Sequence, residues 1–246
     1  TLLFTGLVVF DGWLDGSITL SPQDDTAVQG TIFFILVAAL LVFAQHELKT
    51  LAANKGLKII TAVTTPASIL FAATWYINNI FEISVSAYLA FLTAFSLMAL
   101  FLWQHRRYGT AGTMANCGAS IFAIIYLGLL AGLAVAVRAN YGFWAMLMFI
   151  FAVKSTDIGA YFIGSAFGKH KFAPTVSPGK SWEGMAGGAA LSVIVTVIIA
   201  AICGIISLPA AALFAVGCAF VGQLGDCAES MLKRDAELKD AANKVP

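Results

Sequence analysis

The sequence predicts an all-α, polytopic membrane protein. Of its 246 residues, 60% are hydrophobic and 11% are charged, whereas soluble domains are about 25% charged. Several apolar runs approach about 20 residues, the length at which a helix crosses a hydrocarbon core of roughly 30 Å. Because no alternating ten-residue strand pattern is present, we expect helices to form the spans.

Eight apolar runs are candidate membrane spans, each separated from the next by a more polar stretch. The first is too short to cross a membrane and lacks the basic flank and cleavage pattern of a signal peptide, so we expect the chain to begin inside a helix. The longest polar loops are 14–28 and 167–183. In order, the candidate spans are 1–13, 29–45, 57–77, 85–104, 113–136, 141–166, 185–206 and 209–232.

Basic residues concentrate in alternate loops, which predicts the orientation. Twelve of the 14 Lys and Arg residues lie in loops 46–58, 104–112 and 167–183 and in the tail, while the intervening loops hold only Arg138. The positive-inside rule then places the amino end, the 167–183 loop and the tail in the cytoplasm. The four cysteines lie in or beside apolar segments without a CxxC spacing, which predicts reduced packing residues.

The remaining cation is Lys154, within the sixth span in "FAVKSTDIGAYFIG". A charge at the centre of the bilayer costs about 2.5–3.5 kcal/mol on insertion scales, so its first interpretation is functional. The alternative is a structural pair with Asp157, three residues further along the same helix face. At helical rise Asp157 lies roughly 13 Å from the cytoplasmic end of the span. A polar cavity should therefore reach into that leaflet.

A second charged stretch, "LGDCAESMLKRDAELKD", follows the last span. Eight of the 15 residues from Asp226 to Asp240 are charged. Carboxylates deep in the membrane with cations above them suit a divalent metal and phosphates, and hard oxygen ligands favour Mg²⁺. The alternative is a juxtamembrane helix with ion pairs four residues apart. On a continuing helix, the residues that share one broad face are Asp226, Glu229, Ser230, Lys233, Arg234 and Glu237.

The third polar element is the loop "GKHKFAPTVSPGKSWEG", at 168–184. Its "GKS" does not form a Walker A motif, because Pro174 stands where a Gly is required and no strand precedes it. Ser181 occupies an N-cap position before the seventh span, so a phosphate could meet a helix N-terminus there. The loop also carries three lysines and a second hydroxyl, at Lys169, Lys171, Lys180 and Ser177.

Three other residues of this loop have two interpretations each. His170 is interpreted as a solvated loop residue rather than a catalyst. Glu183 either belongs to the site or complements the dipole of the following helix as a first-turn acid. Trp182 either stacks on a base or anchors the membrane interface, and the sequence favours neither. His46 and His105 are lone loop residues without a predicted role.

These polar segments resemble the phosphatidate cytidylyltransferase (CDP-diacylglycerol synthase) family. The resemblance covers about the last hundred residues, whereas 1–140 resembles the family only in its span pattern. The carboxy-terminal signature matches at Ser230, Leu232, Lys233, Arg234, Lys239, Asp240 and Pro246. The SPxK[ST]xEG loop matches at Ser177, Pro178, Lys180, Ser181, Glu183 and Gly184. The D-x-G-A-Y-x-x-G motif matches at Asp157, Gly159, Ala160, Tyr161 and Gly164.

The resemblance implies an enzyme of the bacterial inner membrane that forms CDP-diacylglycerol and pyrophosphate from CTP and phosphatidate at a cytoplasmic site. The expected cofactor is Mg²⁺ with a possible second metal ion, and the expected partners are CTP, phosphatidate, membrane lipid and a second copy of the chain, without nucleic acid. The catalytic residues are then Asp226, Lys233, Arg234 and Asp157. The substrate-binding residues are Ser177, Lys180, Ser181, Glu183, Ser230, Lys239 and Asp240. The metal ligands are Asp226, Asp157 and Glu229.

No hydrophilic linker is long enough to separate domains, so we expect a single transmembrane domain over 1–246, with amino-terminal helices in 1–140 and catalytic helices and the loop in 141–246. The family signature continues with an HGG…DR…D segment that carries another metal-binding Asp and a ninth helix, which we expect beyond Pro246. A chain of these 246 residues alone is therefore expected to be inactive until that segment is restored.

Two other classes fit the sequence less well. A transporter should show polar or broken helices near the midplane in both halves, and 1–140 offers no buried charge away from the span ends. A CDP-alcohol phosphotransferase should show a DG…AR…G…D…D helix motif. The stretch "DGWLDG" near the amino end lies on the wrong side of the membrane and lacks the rest of that motif.

Overall fold

The computed structural model describes residues 2–18 and 30–236, and these residues are helical, without a β-sheet, as the sequence predicts. A π-helical turn, Ile124–Leu129, joins the sixth helix to the seventh. The α-helices of the described residues are α1 (Leu2–Leu14), α2 (Thr31–Asn54), α3 (Thr61–Ala72), α4 (Thr74–Phe81), α5 (Val85–Tyr108), α6 (Thr113–Ala123), α7 (Leu130–Phe167), α8 (Trp182–Cys203) and α9 (Leu208–Asp235).

Several helices are long and apolar enough to cross a membrane, which fits a multispanning protein, but the predicted count of eight is not confirmed. Among the described residues five segments meet that standard, and one of them, Thr113–Phe167, contains two of the predicted spans. This segment is interrupted at Gly142. Its φ of 80° is a conformation that glycine adopts readily and that strains other residues. The predicted span 57–77 is divided between α3 and α4, of 12 and 8 residues.

The described residues form two compact units, the first ending at Phe143 and the second beginning at Trp144. The first unit contains a buried ionic cluster that contradicts the predicted loop position of Arg138. Arg138 lies inside α7 rather than in a loop and is 0% exposed. Its Nε donates to Asp11 Oδ2 at 2.9 Å, and its Nη2 donates to Asp15 and to Ser17 Oγ. Residues 1–140 therefore contain buried charge, and it lies close to the predicted span ends.

This cluster also explains how α1, α2 and α7 are joined in the first unit. Asp11 Oδ1 accepts two backbone N–H groups from the first turn of α2, at 2.9 and 3.2 Å. Helix N-termini leave such groups without intrahelical partners, and a carboxylate satisfies them. The sequence did not reveal the pairing because Asp11 and Arg138 are 127 positions apart.

In the second unit, glycines allow α7 and α8 to approach closely. A Cβ added to Gly159 would lie 2.7 Å from the backbone oxygen of Gly187, and one added to Gly188 would lie 2.6 Å from that of Thr156. Real Cβ atoms do not approach backbone oxygens so closely, so only glycine fits these positions. The close approach places the polar residues of α7 beside the first turns of α8.

Candidate active site

The predicted loop between α7 and α8 folds as a compact hairpin. Lys171 and Ser181 form an isolated β-bridge, Trp182 N donates to His170 O at 3.0 Å, and Phe172 N donates to Lys180 O at 3.2 Å. The rings of Phe172 and Trp182 meet edge to face, with centroids 5.3 Å apart. These contacts give the loop a fixed shape at the start of α8.

A β-turn at the tip of the hairpin sets the direction of Lys180. In the sequence Ser177-Pro178-Gly179-Lys180, the N–H of Lys180 donates to the carbonyl of Ser177 at 3.1 Å. Proline in the second position fixes its φ angle in the range that such turns require. The "SPGK" motif therefore has a structural reason besides any contact of Ser177 or Lys180 with substrate.

Lys180 contacts α9. Its Nζ donates to Asp226 Oδ2 at 3.1 Å and to the backbone oxygen of Gln223 at 3.2 Å. The Lys180 side chain is 18% exposed, whereas that of Asp226 is 54% exposed. Asp226 can therefore accept a further partner while Lys180 holds one of its oxygens. The sequence predicted both residues for the site, and the structure brings them together.

Asp157 approaches the same pair from α7. It lies close enough to Asp226 for the two negative charges to repel each other, and close enough to Lys180 to be attracted. Lys154 Nζ lies 3.7 Å from Asp157 Oδ2, and each of these side chains is about half exposed. The structure therefore contains the Lys154–Asp157 pair that the sequence suggested, and part of the Asp157 carboxylate stays accessible.

Two further basic residues of α9 have partners. Arg234 Nε donates to the backbone oxygen of Val176, which ties the hairpin to α9 at a second point. Lys233 Nζ donates to Glu229 one turn earlier, as the alternative of four-residue ion pairs predicts. Val176 and Gln223 were not predicted from the sequence, since each contributes a backbone oxygen that any residue type could supply.

The start of α8 is capped as predicted. Ser181 is the N-cap, and its Oγ accepts the N–H of Gly184 at 3.1 Å. Its hydroxyl is buried in this role, with the residue 4% exposed. Glu183 accepts the backbone N–H of His170 at 3.2 Å and contacts its Nδ1 at 2.5 Å. Glu183 therefore braces the hairpin, a contact that the sequence did not predict.

The structure shows fewer contacts, or none, for the remaining predicted site residues. Ser230 lies on α9 one turn after Asp226 and is half-buried, and Ser177 begins the turn that carries Lys180. Lys239 and Asp240 lie outside the described residues, as does Glu237. No group of three or more His, Cys, Asp and Glu side chains in 2–18 or 30–236 is arranged to hold a metal, so Glu229 does not join Asp157 and Asp226 in such a group.

The donor set nevertheless fits Mg²⁺. This ion is commonly bound through one or two carboxylates, with water and substrate phosphates completing its shell. Asp157 and Asp226 supply two hard oxygen donors whose mutual repulsion a cation would relieve. Lys154 and Lys180 currently provide the neutralising charge.

Comparison with known proteins identifies several relatives named phosphatidate cytidylyltransferase. The Brucella suis phosphatidate cytidylyltransferase is 29% identical over 236 residues, which cover 94% of this chain and 80% of that protein. The Haemophilus influenzae phosphatidate cytidylyltransferase is 37% identical over 111 residues, 43% of this chain and 38% of that protein. The Bacillus subtilis phosphatidate cytidylyltransferase is 34% identical over 137 residues, 54% of this chain and 51% of that protein.

The chain thus spans about half or less of the length of the last two relatives in these alignments. The model of the Cytidylyltransferase family matches residues 26–246, which include the hairpin, Asp157 and the whole of α9. This match covers most of the chain, and the chain belongs to the Cytidylyltransferase family.

Proposed function

We propose that this protein transfers the cytidylyl group of CTP to phosphatidate, forming CDP-diacylglycerol and pyrophosphate. The observation that carries the proposal is the meeting of Lys180, from the hairpin, with Asp226 of α9 beside Asp157 of α7. Cations and carboxylates thereby come together at one end of apolar helices. A soluble nucleotide and a lipid headgroup can meet at such a place.

The reaction joins a phosphate oxygen of phosphatidate to the α-phosphorus of CTP and breaks the bond from that phosphorus to the bridging oxygen of the β-phosphate. The electron pair of the broken bond leaves with pyrophosphate. Because the attacking phosphate is already an anion near neutral pH, no general base is required. Catalysis then depends on positioning and on neutralising charge.

The chain's own residues divide these tasks. Lys180, whose Nζ contacts Asp226, would neutralise negative charge on the triphosphate of CTP. Arg234 holds the hairpin against α9 through Val176 O, and Ser230 and Lys233 lie on the same helix. Lys239 and Asp240, also assigned to substrate, lie outside the described residues. Ser181 caps α8, whose positive dipole end favours a phosphate nearby.

Asp226 and Asp157 would hold Mg²⁺, whereas Glu229 is paired with Lys233. When bound, the ion polarises the phosphoryl oxygens and stabilises the charge that develops on pyrophosphate. A second metal ion and a homodimer remain predictions. The basic loops favour an active site on the cytoplasmic side of the bacterial inner membrane.

The test is the release of pyrophosphate from CTP when phosphatidate is supplied. Since the resemblance assigns part of the site to the HGG…DR…D segment, assays use this sequence continued through that segment, here called the extended chain. Asp226→Asn keeps the size and polarity of the side chain but removes its negative charge. We expect this variant to reduce turnover to the rate measured without enzyme, while the protein stays monodisperse and melts at the wild-type temperature.

The matched control is Asp235→Asn, the same change on the same helix outside the Lys180 contact. Near wild-type turnover in Asp226→Asn at ordinary Mg²⁺ would show that Asp226 holds no metal. Absence of phosphatidate-dependent pyrophosphate release in the unmutated extended chain would refute the proposed function itself.

A further inference from the structure

The three lysines of the hairpin lie in two different places. Lys180 contacts α9, whereas Lys169 and Lys171 line a separate open depression of about 840 Å³. Neither Lys180 nor Asp226 lines this depression. The lining residues are Lys169, His170, Lys171, Trp182, Glu183 and Ala186.

The chemistry of the depression suits an anion without its own metal. Lys169 and Lys171 are exposed and form no ion pair with a carboxylate in the described part of the chain. Glu183 is the carboxylate among the lining residues, and two hydrogen bonds from the His170 backbone and a contact with its ring occupy it. A nucleotide triphosphate carrying Mg²⁺ would find no available carboxylate here.

The position of the depression points toward the lipid. Trp182 is 50% exposed at the first residue of α8, where an aromatic side chain commonly lies at the headgroup level. Ala186, one turn further along α8, extends the lining into a helix long and apolar enough to cross a membrane. Lysines at such a level attract anionic headgroups from the bilayer.

We propose that this depression binds the phosphate headgroup of phosphatidate, with Lys169 and Lys171 as its cationic contacts and Trp182 beside the acyl chains. The inference rests on the proposed function and deepens it by separating a lipid subsite from the Lys180–Asp226 side, to which the proposed function assigns CTP. Across the hairpin Lys171 pairs with Ser181, the residue after Lys180, so the two subsites are neighbours along the fold.

The experiment uses the extended chain with Lys169→Gln and Lys171→Gln, separately and together. Lys49→Gln is the control, because Lys49 is exposed and is predicted to lie on the same side of the membrane. Turnover is measured in mixed micelles while the mole fraction of phosphatidate and the concentration of CTP are varied independently. We expect each single variant to raise the KM for phosphatidate about fivefold, with kcat and the KM for CTP unchanged.

Binding is measured in parallel by calorimetry without CTP, using short-chain phosphatidate, short-chain phosphatidylcholine and inorganic phosphate as probes. We expect phosphatidate to bind the unmutated chain more tightly than the other two and to bind the double variant more weakly. Tighter or equal binding of inorganic phosphate would show that the depression takes free phosphate and would overturn the lipid assignment.

Two kinetic outcomes would also overturn it. A higher KM for CTP with an unchanged KM for phosphatidate would assign the depression to the nucleotide, and variants indistinguishable from Lys49→Gln would assign it to neither. If the unmutated chain shows no turnover at all, the proposed function fails, while the binding series still decides whether the lysines hold the lipid phosphate.

Discussion

The ammonium group of Lys180 lies between the carboxylate of Asp226 and a backbone oxygen of the same helix. This arrangement changes how a substitution there should be interpreted. Removing the lysine takes away the proposed phosphate contact and also the ion pair with Asp226. A double-mutant cycle with Asp226 separates these two effects, because the loss of the ion pair depends on Asp226 whereas the loss of the phosphate contact does not.

We expect Lys180→Ala in the extended chain to lower kcat/KM for CTP by about ten- to a hundredfold, the range of one hydrogen bond to a charged group. Lys180→Arg keeps the charge and should retain more activity. The check is steady-state kinetics with CTP varied at saturating phosphatidate. An unchanged kcat/KM for CTP would mean that Lys180 is only a structural tie between the hairpin and α9.

At the level of elements, α7 and α8 pack so closely at their facing glycines that there is no room for a side chain. Gly159 lies against the backbone of Gly187, so any added side-chain atom must push the helices apart. By contrast, a Cβ added to Gly222 on α9 meets nothing within 4 Å. The chain therefore offers a matched pair of glycines in apolar helices, one enclosed and one open.

Gly159→Ala should destabilise the protein by about 1–3 kcal/mol, the usual cost of overpacking. It should also lower turnover, since Asp157 is two residues away on the displaced helix. Gly222→Ala should be neutral or slightly stabilising, because alanine is the better helix former. Thermal unfolding in detergent and pyrophosphate release measure the two effects. Equal behaviour of the two variants would contradict the close α7–α8 packing.

For the whole molecule, the distribution of Lys and Arg predicts which side of the membrane carries the hairpin. Thr175, exposed in the hairpin, and Ser86, exposed at the start of α5, are predicted to lie on opposite sides. Each can be replaced by cysteine in a chain whose four native cysteines are alanine. One sulfhydryl reagent that does not cross membranes then reports both positions.

Thr175→Cys should react in inverted membrane vesicles and not in intact cells, and Ser86→Cys should show the reverse. The measurement is the fraction of protein modified before and after membrane solubilisation, which exposes both positions. Labelling of Thr175→Cys from outside intact cells would reverse the orientation and remove the site from the compartment that holds CTP.

Structural features that depend on residues close together in the chain could be predicted from the sequence. Apolar runs predict helices because their length matches the bilayer, and Ser181 predicts an N-cap because capping depends on neighbouring residues. The pairing of Lys154 with Asp157 likewise follows from helical spacing. The number of spans was less predictable, since the helical path continues from 113 to 167 and only Gly142 interrupts it.

By itself the sequence determined the helical membrane class, the polar segments of the site and the resemblance that the family match confirms. Only the tertiary structure decided which charges meet. Arg138 pairs with Asp11 and Asp15, and Lys180 pairs with Asp226, across many intervening residues. Composition and periodicity describe the faces of single helices, whereas partners across helices depend on packing. That packing is set by the fit of side chains and glycines along the whole interface.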